Sequence, residues 1–175
     1  MCQLFALSCN TPTSVTFSFT GFSARGGHTG EHVDGFGLAF HDGKACRSFI
    51  DPEPACDSAL AEFLRRHPIR ARTVLAHIRK ATQGPVEIAN CNPFVREWRG
   101  RHWSFAHNGD LKDFHPRLGS AHVPVGRTDS ERAFCWILQE LRRRFPGRHA
   151  PGWEQLAPAV AELADRIAPH GRFNF

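Results

Sequence analysis

Cys2-Gln3-Leu4-Phe5-Ala6-Leu7 opens the chain with a thiol followed at once by a short apolar run. Apolar residues packed this tightly read as a buried strand. The thiol carries a meaning of its own. Methionine is normally trimmed when the second residue is small, so a mature chain beginning at Cys2 would hold a nucleophile and an α-amine on one residue. Such an amine has a reference pKa of about 7.7–8.0, low enough to be partly neutral at pH 7 and to accept the thiol proton. An amino-terminal threonine activated by its own amine follows the same logic.

Working outward, Val15 to Phe19 alternates in part and predicts a strand or an extended loop, and residues 21 to 37 read as a mobile, Gly- and His-rich loop. Phe36 to Phe40 and Cys46 to Ile50 flank His41-Asp42-Gly43-Lys44, a hairpin signal. Asp57 and Ser58 can cap a short helix with Leu60, Phe63 and Leu64 on its apolar face. Val74 to Ile78 and Trp103 to His107 predict two more strands, the second broken sharply by Asn108-Gly109. Thr128 with Glu131 forms a capping box for a helix bearing Ala133, Phe134, Ile137, Leu138 and Leu141. A last helix places Leu156, Val160, Leu163 and Ile167 at helical spacing, and Phe173-Asn174-Phe175 begins a strand.

The 175 residues suit one domain spanning 1–175, with 41% hydrophobic and 22% charged residues. That composition excludes disordered, collagen-like and coiled-coil designs. Lys and Arg exceed Asp and Glu by 22 − 17 = 5, a mild excess. Part of it, Arg142-Arg143-Arg144, suits the last turn of a helix. No base-reading motif accompanies the charge, so no nucleic-acid partner is expected. The six cysteines form no C-x-x-C pair and no zinc spacing, so neither metal nor cofactor is expected. No secretory leader and no apolar run of about 18 residues is present, which predicts no membrane span and a reducing cytoplasm with free thiols.

Three segments add chemistry to Cys2. His77-Ile78-Arg79-Lys80-Ala81-Thr82 puts a guanidinium just past a strand end, where its fork can grip a carboxylate. Asn108-Gly109 offers a side-chain amide and an unobstructed backbone N–H, the parts of an oxyanion hole. Asp129 sets a carboxylate at a helix start, available to an ammonium group. Each has a plainer reading: Arg79 as a surface ion pair, Asn108-Gly109 as a type I′ turn, Asp129 as compensation of the helix dipole. Taken together they describe a site for an amino acid with a side-chain carbonyl.

With those segments in view, the chain resembles the class II glutamine amidotransferases, a family of N-terminal-nucleophile hydrolases, and is most similar to their stand-alone YafJ-type bacterial branch. The matching stretches are Cys2-Gln3-Leu4-Phe5, Asp34-Gly35-Phe36-Gly37, His77-Ile78-Arg79-Lys80-Ala81-Thr82, Phe105-Ala106-His107-Asn108-Gly109 and Gly126-Arg127-Thr128-Asp129-Ser130-Glu131, in the family's order. The resemblance implies an α+β fold, an αββα four-layer sandwich of two antiparallel sheets between helical layers. It implies Cys2 as nucleophile with its amine as base, and Asn108 with the Gly109 N–H as oxyanion hole. It further implies Arg79 on the glutamine α-carboxylate, Asp129 on the α-ammonium, and Thr82, Gly35 and Phe36 lining the pocket. The activity implied is hydrolysis of glutamine to glutamate and ammonia through a γ-glutamyl thioester. The alternatives are a hydrolase of a larger γ-glutamyl amide and a truncated module that binds or regulates.

Three departures from the family pattern shape the expectations. Gln3 stands where members fused to synthases usually have glycine, and no synthase domain follows, so an ammonia-accepting synthase would be a separate protein. Phe175 falls inside what resembles a mid-domain strand, so the sandwich is expected to lack its C-terminal strands and to need a longer chain, a partner subunit or a homo-oligomer to cover the open edge.

Overall fold

The computed structural model describes residues 2–175; the expected loss of Met1 lies outside the described residues. β1 (Gln3–Ser14), β2 (Phe36–Asp42), β3 (Ala45–Asp51) and β4 (Arg70–Ile78) form one antiparallel sheet in the order β1-β4-β2-β3. The hairpin read at His41 to Lys44 is the β2–β3 connection. Ile78 is paired with Gln3 on one side and Phe36 on the other. Cys2, Arg79 and Gly35 therefore all leave the sheet at the same end. This register brings three distant sequence segments together.

One core lies against this sheet. α1 (Thr16–Ala24) and α2 (Ala59–Arg66) contribute Phe19, Phe22, Ala61 and Leu64, which pack on Phe36, Leu38, Val74 and Ile78. Ser58 caps α2, its hydroxyl accepting the Leu60 and Ala61 N–H groups, as expected. The strand or loop expected over Val15 to Phe19 is instead the start of α1. Val15 and Phe19 satisfy a two-residue and a four-residue repeat equally, and only Phe22 tips the pattern toward a helix. The proof is Phe17, which alternation would bury and which is 94% exposed. In α2, Phe63 leaves the expected apolar face and stacks on His67 at 4.4 Å, while Ala61 is buried.

The second core is built by α3 (Asp129–Arg144) and α4 (Trp153–Ile167) packed on β5 (Phe94–Glu97), β6 (His102–Phe105), β7 (Asn108–Leu111) and β8 (Gly171–Asn174). β5 pairs with β6, and β7 with β8, as two short antiparallel ribbons. Thr128 caps α3 by accepting the Glu131 N–H. The reciprocal half of the expected capping box is missing. Glu131 accepts instead from Val125 N–H and Gly126 N–H at 2.9 and 2.7 Å and pairs with Arg96. Asn108-Gly109 does not end a strand but begins one, with Gly109 opposite Phe173. No helix among the described residues is long and apolar enough to cross a membrane.

Candidate active site

The cleft at the shared sheet end has a volume of about 410 Å³ and is lined by Cys2, Lys80, Thr82, Gly109, Asp110 and Arg172, among others. Of the residues singled out from sequence, Cys2, Thr82 and Gly109 thus share one cavity. The Lys80 backbone N–H donates to Cys2 Sγ at 3.4 Å. Burial pushes the Cys2 thiol above its ordinary 9.0, and the Lys80 hydrogen bond works against that rise. At neutral pH the sulfur therefore keeps its proton, and nucleophilic use of it requires a base.

Arg79 is 3% exposed, which removes the surface ion-pair reading. Its guanidinium donates to the carbonyls of Gln83 (2.8 Å), Gly84 (3.0 Å), Pro85 (3.1 Å) and Asp34 (3.5 Å). It clamps the 83–85 loop and is not among the residues lining the cleft. Gly35 sits beside it, accepting the Arg79 N–H at 2.8 Å. Its φ of +103° and its closeness to Cys91 Sγ and the Asp51 carbonyl both demand a residue without Cβ. Phe36, expected to line the pocket, is 0% exposed in the first core, its ring 6.2 Å from that of Phe19. A strand alternates its faces, so the residue after the glycine points into the core and not into the cleft.

The opposite wall is β7. Gly109 packs directly under the Arg172 carbonyl and the His107 ring, where any side chain would collide. Asn108 Oδ1 is buried and has no hydrogen-bond partner among the described residues, so the side-chain amide is not committed through that oxygen. Asp129 is buried at the start of α3, its Oδ2 accepting the Leu111 N–H at 2.8 Å. Its charge disfavours ionisation of Cys2, which places it within electrostatic reach of the sulfur.

Several residues that sequence reading did not single out hold these groups. Gln83 Nε2 donates to Asp110 Oδ1 (2.7 Å) and to the Leu111 carbonyl (3.2 Å), linking the loop after β4 to β7. His77 donates from Nε2 to the His107 carbonyl at 3.2 Å, and burial lowers its pKa to about 3. His107 contacts Ser130 Oγ at 2.8 Å and the Arg172 carbonyl at 3.0 Å. Gln83, His77, His107 and Ser130 all lie inside or beside the quoted motifs, but only their long-range partners reveal what they do. No grouping of three or more His, Cys, Asp or Glu side chains suited to a metal occurs among the described residues.

The sequence model described as glutamine amidotransferases class-II matches residues 1–175. The chain is 45% identical over 175 residues to the Escherichia coli protein named "Putative glutamine amidotransferase YafJ", covering 99% of this chain and 68% of that one. A 2.0 Å crystal structure of a predicted glutamine amidotransferase from Pseudomonas aeruginosa superposes with a TM-score of 0.74 at 39% identity, covering 99% of this chain and 67% of that one. A shorter match, 35% identical over 83 residues, covers 45% of this chain and 32% of a Mycobacterium tuberculosis protein named gamma-glutamyl-hercynylcysteine sulfoxide hydrolase. The curated relatives matched along the whole chain are longer, and the chain spans 47–68% of their length. The chain belongs to the class II glutamine amidotransferase family.

Proposed function

We propose that this domain hydrolyses the side-chain amide of glutamine, with Cys2 as nucleophile. The observation that carries the reading is the meeting of Cys2, Thr82 and Gly109 in one cleft, with the Lys80 N–H on the sulfur. After loss of Met1, the free α-amine of Cys2 takes the thiol proton, which the raised thiol pKa makes necessary. The thiolate adds to the δ-carbonyl, and Asn108 with the Gly109 N–H steadies the oxyanion. Collapse breaks the C–N bond, the amine returns its proton, and ammonia leaves a γ-glutamyl thioester. Water attacks the thioester, giving glutamate and the free thiol. Asp129 binds the substrate ammonium, and Arg79 supplies positive charge toward its carboxylate while holding the 83–85 loop.

The same reading takes the architecture as an αββα sandwich. Its support is that α1 and α2 share a core with the larger sheet, while α3 and α4 share one with the short ribbons. The match to the Mycobacterium tuberculosis hydrolase favours one second reading, a larger γ-glutamyl amide as substrate.

The test joins mass spectrometry of the amino terminus to a glutaminase assay. Turnover is expected only from chains that begin at Cys2, and an electrophilic glutamine analogue should label Cys2 before the other five cysteines. Equal turnover by chains retaining Met1, or first labelling elsewhere, would overturn the assignment. Cys2→Ala should lower turnover by at least about 10³-fold.

A further inference from the structure

His107 is 2% exposed, directly beneath Gly109, and the Arg172 carbonyl at 3.0 Å can only accept a hydrogen bond. Nε2 must therefore carry a proton. Burial lowers the pKa of His107, so at neutral pH it has only that one proton, and Nδ1 is an acceptor. The Ser130 hydroxyl, 2.8 Å from Nδ1, must then donate to it. A hydroxyl has a single proton, so Ser130 cannot at the same time donate to Asp129 Oδ1, 3.3 Å away. Asp129 Oδ2 is occupied by the Leu111 N–H. In this state Oδ1 keeps its lone pairs for an external donor.

We propose that His107 and Ser130 are positioning residues that keep Asp129 Oδ1 open for the substrate ammonium, and that protonation of His107 makes the Ser130 hydroxyl compete for it. The inference rests on the glutaminase reading for the identity of the ammonium group. When His107 gains a second proton, Nδ1 becomes a donor to Ser130 Oγ. The Ser130 hydroxyl must then turn, and Asp129 Oδ1 is the acceptor within reach. One lone pair of Oδ1 is then taken, and a positive charge now stands two hydrogen bonds from the carboxylate, so both its acceptor capacity and its pull on an ammonium fall. Substrate binding then weakens on the acid side, separately from the loss of turnover that protonation of the Cys2 amine causes.

The charges around His107 are accounted for element by element. Asp129 and Asp110 favour its protonation from α3 and β7, and the backbone carbonyl of Arg172 does so from β8. From β4, the neighbouring His77 receives no proton in this range, since its pKa is about 3. The Phe173 ring, 5.1 Å from the imidazole, closes the remaining side. Burial outweighs these contributions and keeps His107 neutral at neutral pH.

The experiment measures KM and kcat for glutamine on the processed full chain at about pH 4.5 and about pH 8, the lower value set well below the ordinary histidine range because burial lowers the pKa of His107. In the wild type, KM should rise at least about fivefold at the lower pH; kcat falls as well, because the Cys2 amine gains its proton over the same range, and it should fall alike in the variants. Ser130→Ala leaves no hydroxyl to turn, so the ratio of the two KM values should fall to about one. His107→Gln keeps a donor for Arg172 and an acceptor for Ser130 but cannot titrate, and should flatten the ratio likewise. A ratio preserved in both variants overturns the proposal. Nitrogen NMR of the histidines in the same full chain separates this from failure of the glutaminase reading. His107 should be the Nε2–H tautomer at about pH 7.5, with Nδ1 shifted by Ser130→Ala. The opposite tautomer, or an imidazolium, sinks the relay whatever the substrate is.

Discussion

On one side of the cleft, Cys2 and Lys80 extend from β1 and β4, two long strands inside a four-stranded sheet. On the other, Gly109 and Asp110 lie on a four-residue strand whose ladder partner, β8, is equally short, and Asn108 beside them is not among the lining residues. Backbone pairing suffices for the first wall. A two-stranded ribbon of this length is marginal by itself, so the second wall depends on side chains that reach it from behind. Those side chains are buried and polar: Asp129 on the Leu111 N–H and His107 on the Arg172 carbonyl, while Glu131 holds the Val125 and Gly126 N–H groups of the turn that leads into α3 and Asp129. The nucleophile's wall should tolerate polar changes behind it. The receiving wall should not.

The largest expected effect lies behind the second wall. Glu131 is 1% exposed, pairs with Arg96 and holds the turn before α3. Glu131→Ala strands a half-buried guanidinium and two N–H groups, and should cost about 3–5 kcal/mol in denaturant unfolding. A loss below about 1 kcal/mol would mean that the turn before α3 stands without this support. Next comes Asn108→Ala, beside Gly109 at the start of β7. It should lower kcat by roughly 10²–10³ with little change in KM. A rise in KM alone would make Asn108 a structural strand residue and place the oxyanion donors elsewhere.

The smallest effect sharpens the link between the walls. His77, in β4, donates to the His107 carbonyl and is held neutral by burial, with a pKa lowered from 6.5 to about 3. Between those values the unfolded chain binds a proton that the folded chain refuses. The stability present above pH 6.5 is therefore lost as pH falls toward 3, at about 1.4 kcal/mol per pH unit where only the unfolded form is protonated. Thermal melts across that range should show the slope, and His77→Gln should reduce it. An unchanged slope would assign the acid sensitivity to other groups.

Local signals were legible where one segment decides its own structure. The β2–β3 hairpin follows from Asp42-Gly43, the α2 cap from Ser58, and α3 and α4 from apolar residues at helical spacing. α1 was not legible, because Val15 and Phe19 fit a strand as well as a helix until Phe22 is buried beside them. The pairing of Asn108-Gly109 with Phe173 and Asn174 was hidden for another reason: a ladder partner more than sixty residues away leaves no trace in the local pattern.

For the site, residue types and order along the chain pointed to Cys2 and Gly109 and the family resemblance added Thr82, and the three line one cleft. Where Phe36 points, where the Arg79 donors go and which proton Ser130 gives away were decided only in three dimensions. Those properties belong to pairs: the Arg79 guanidinium is defined by the four carbonyls that surround it, and the Ser130 hydroxyl by a histidine that must keep its other proton for Arg172. Sequence sets which groups a chain possesses. The register of Gln3, Ile78 and Phe36, and the burial that follows, sets which of them meet and in which protonation state.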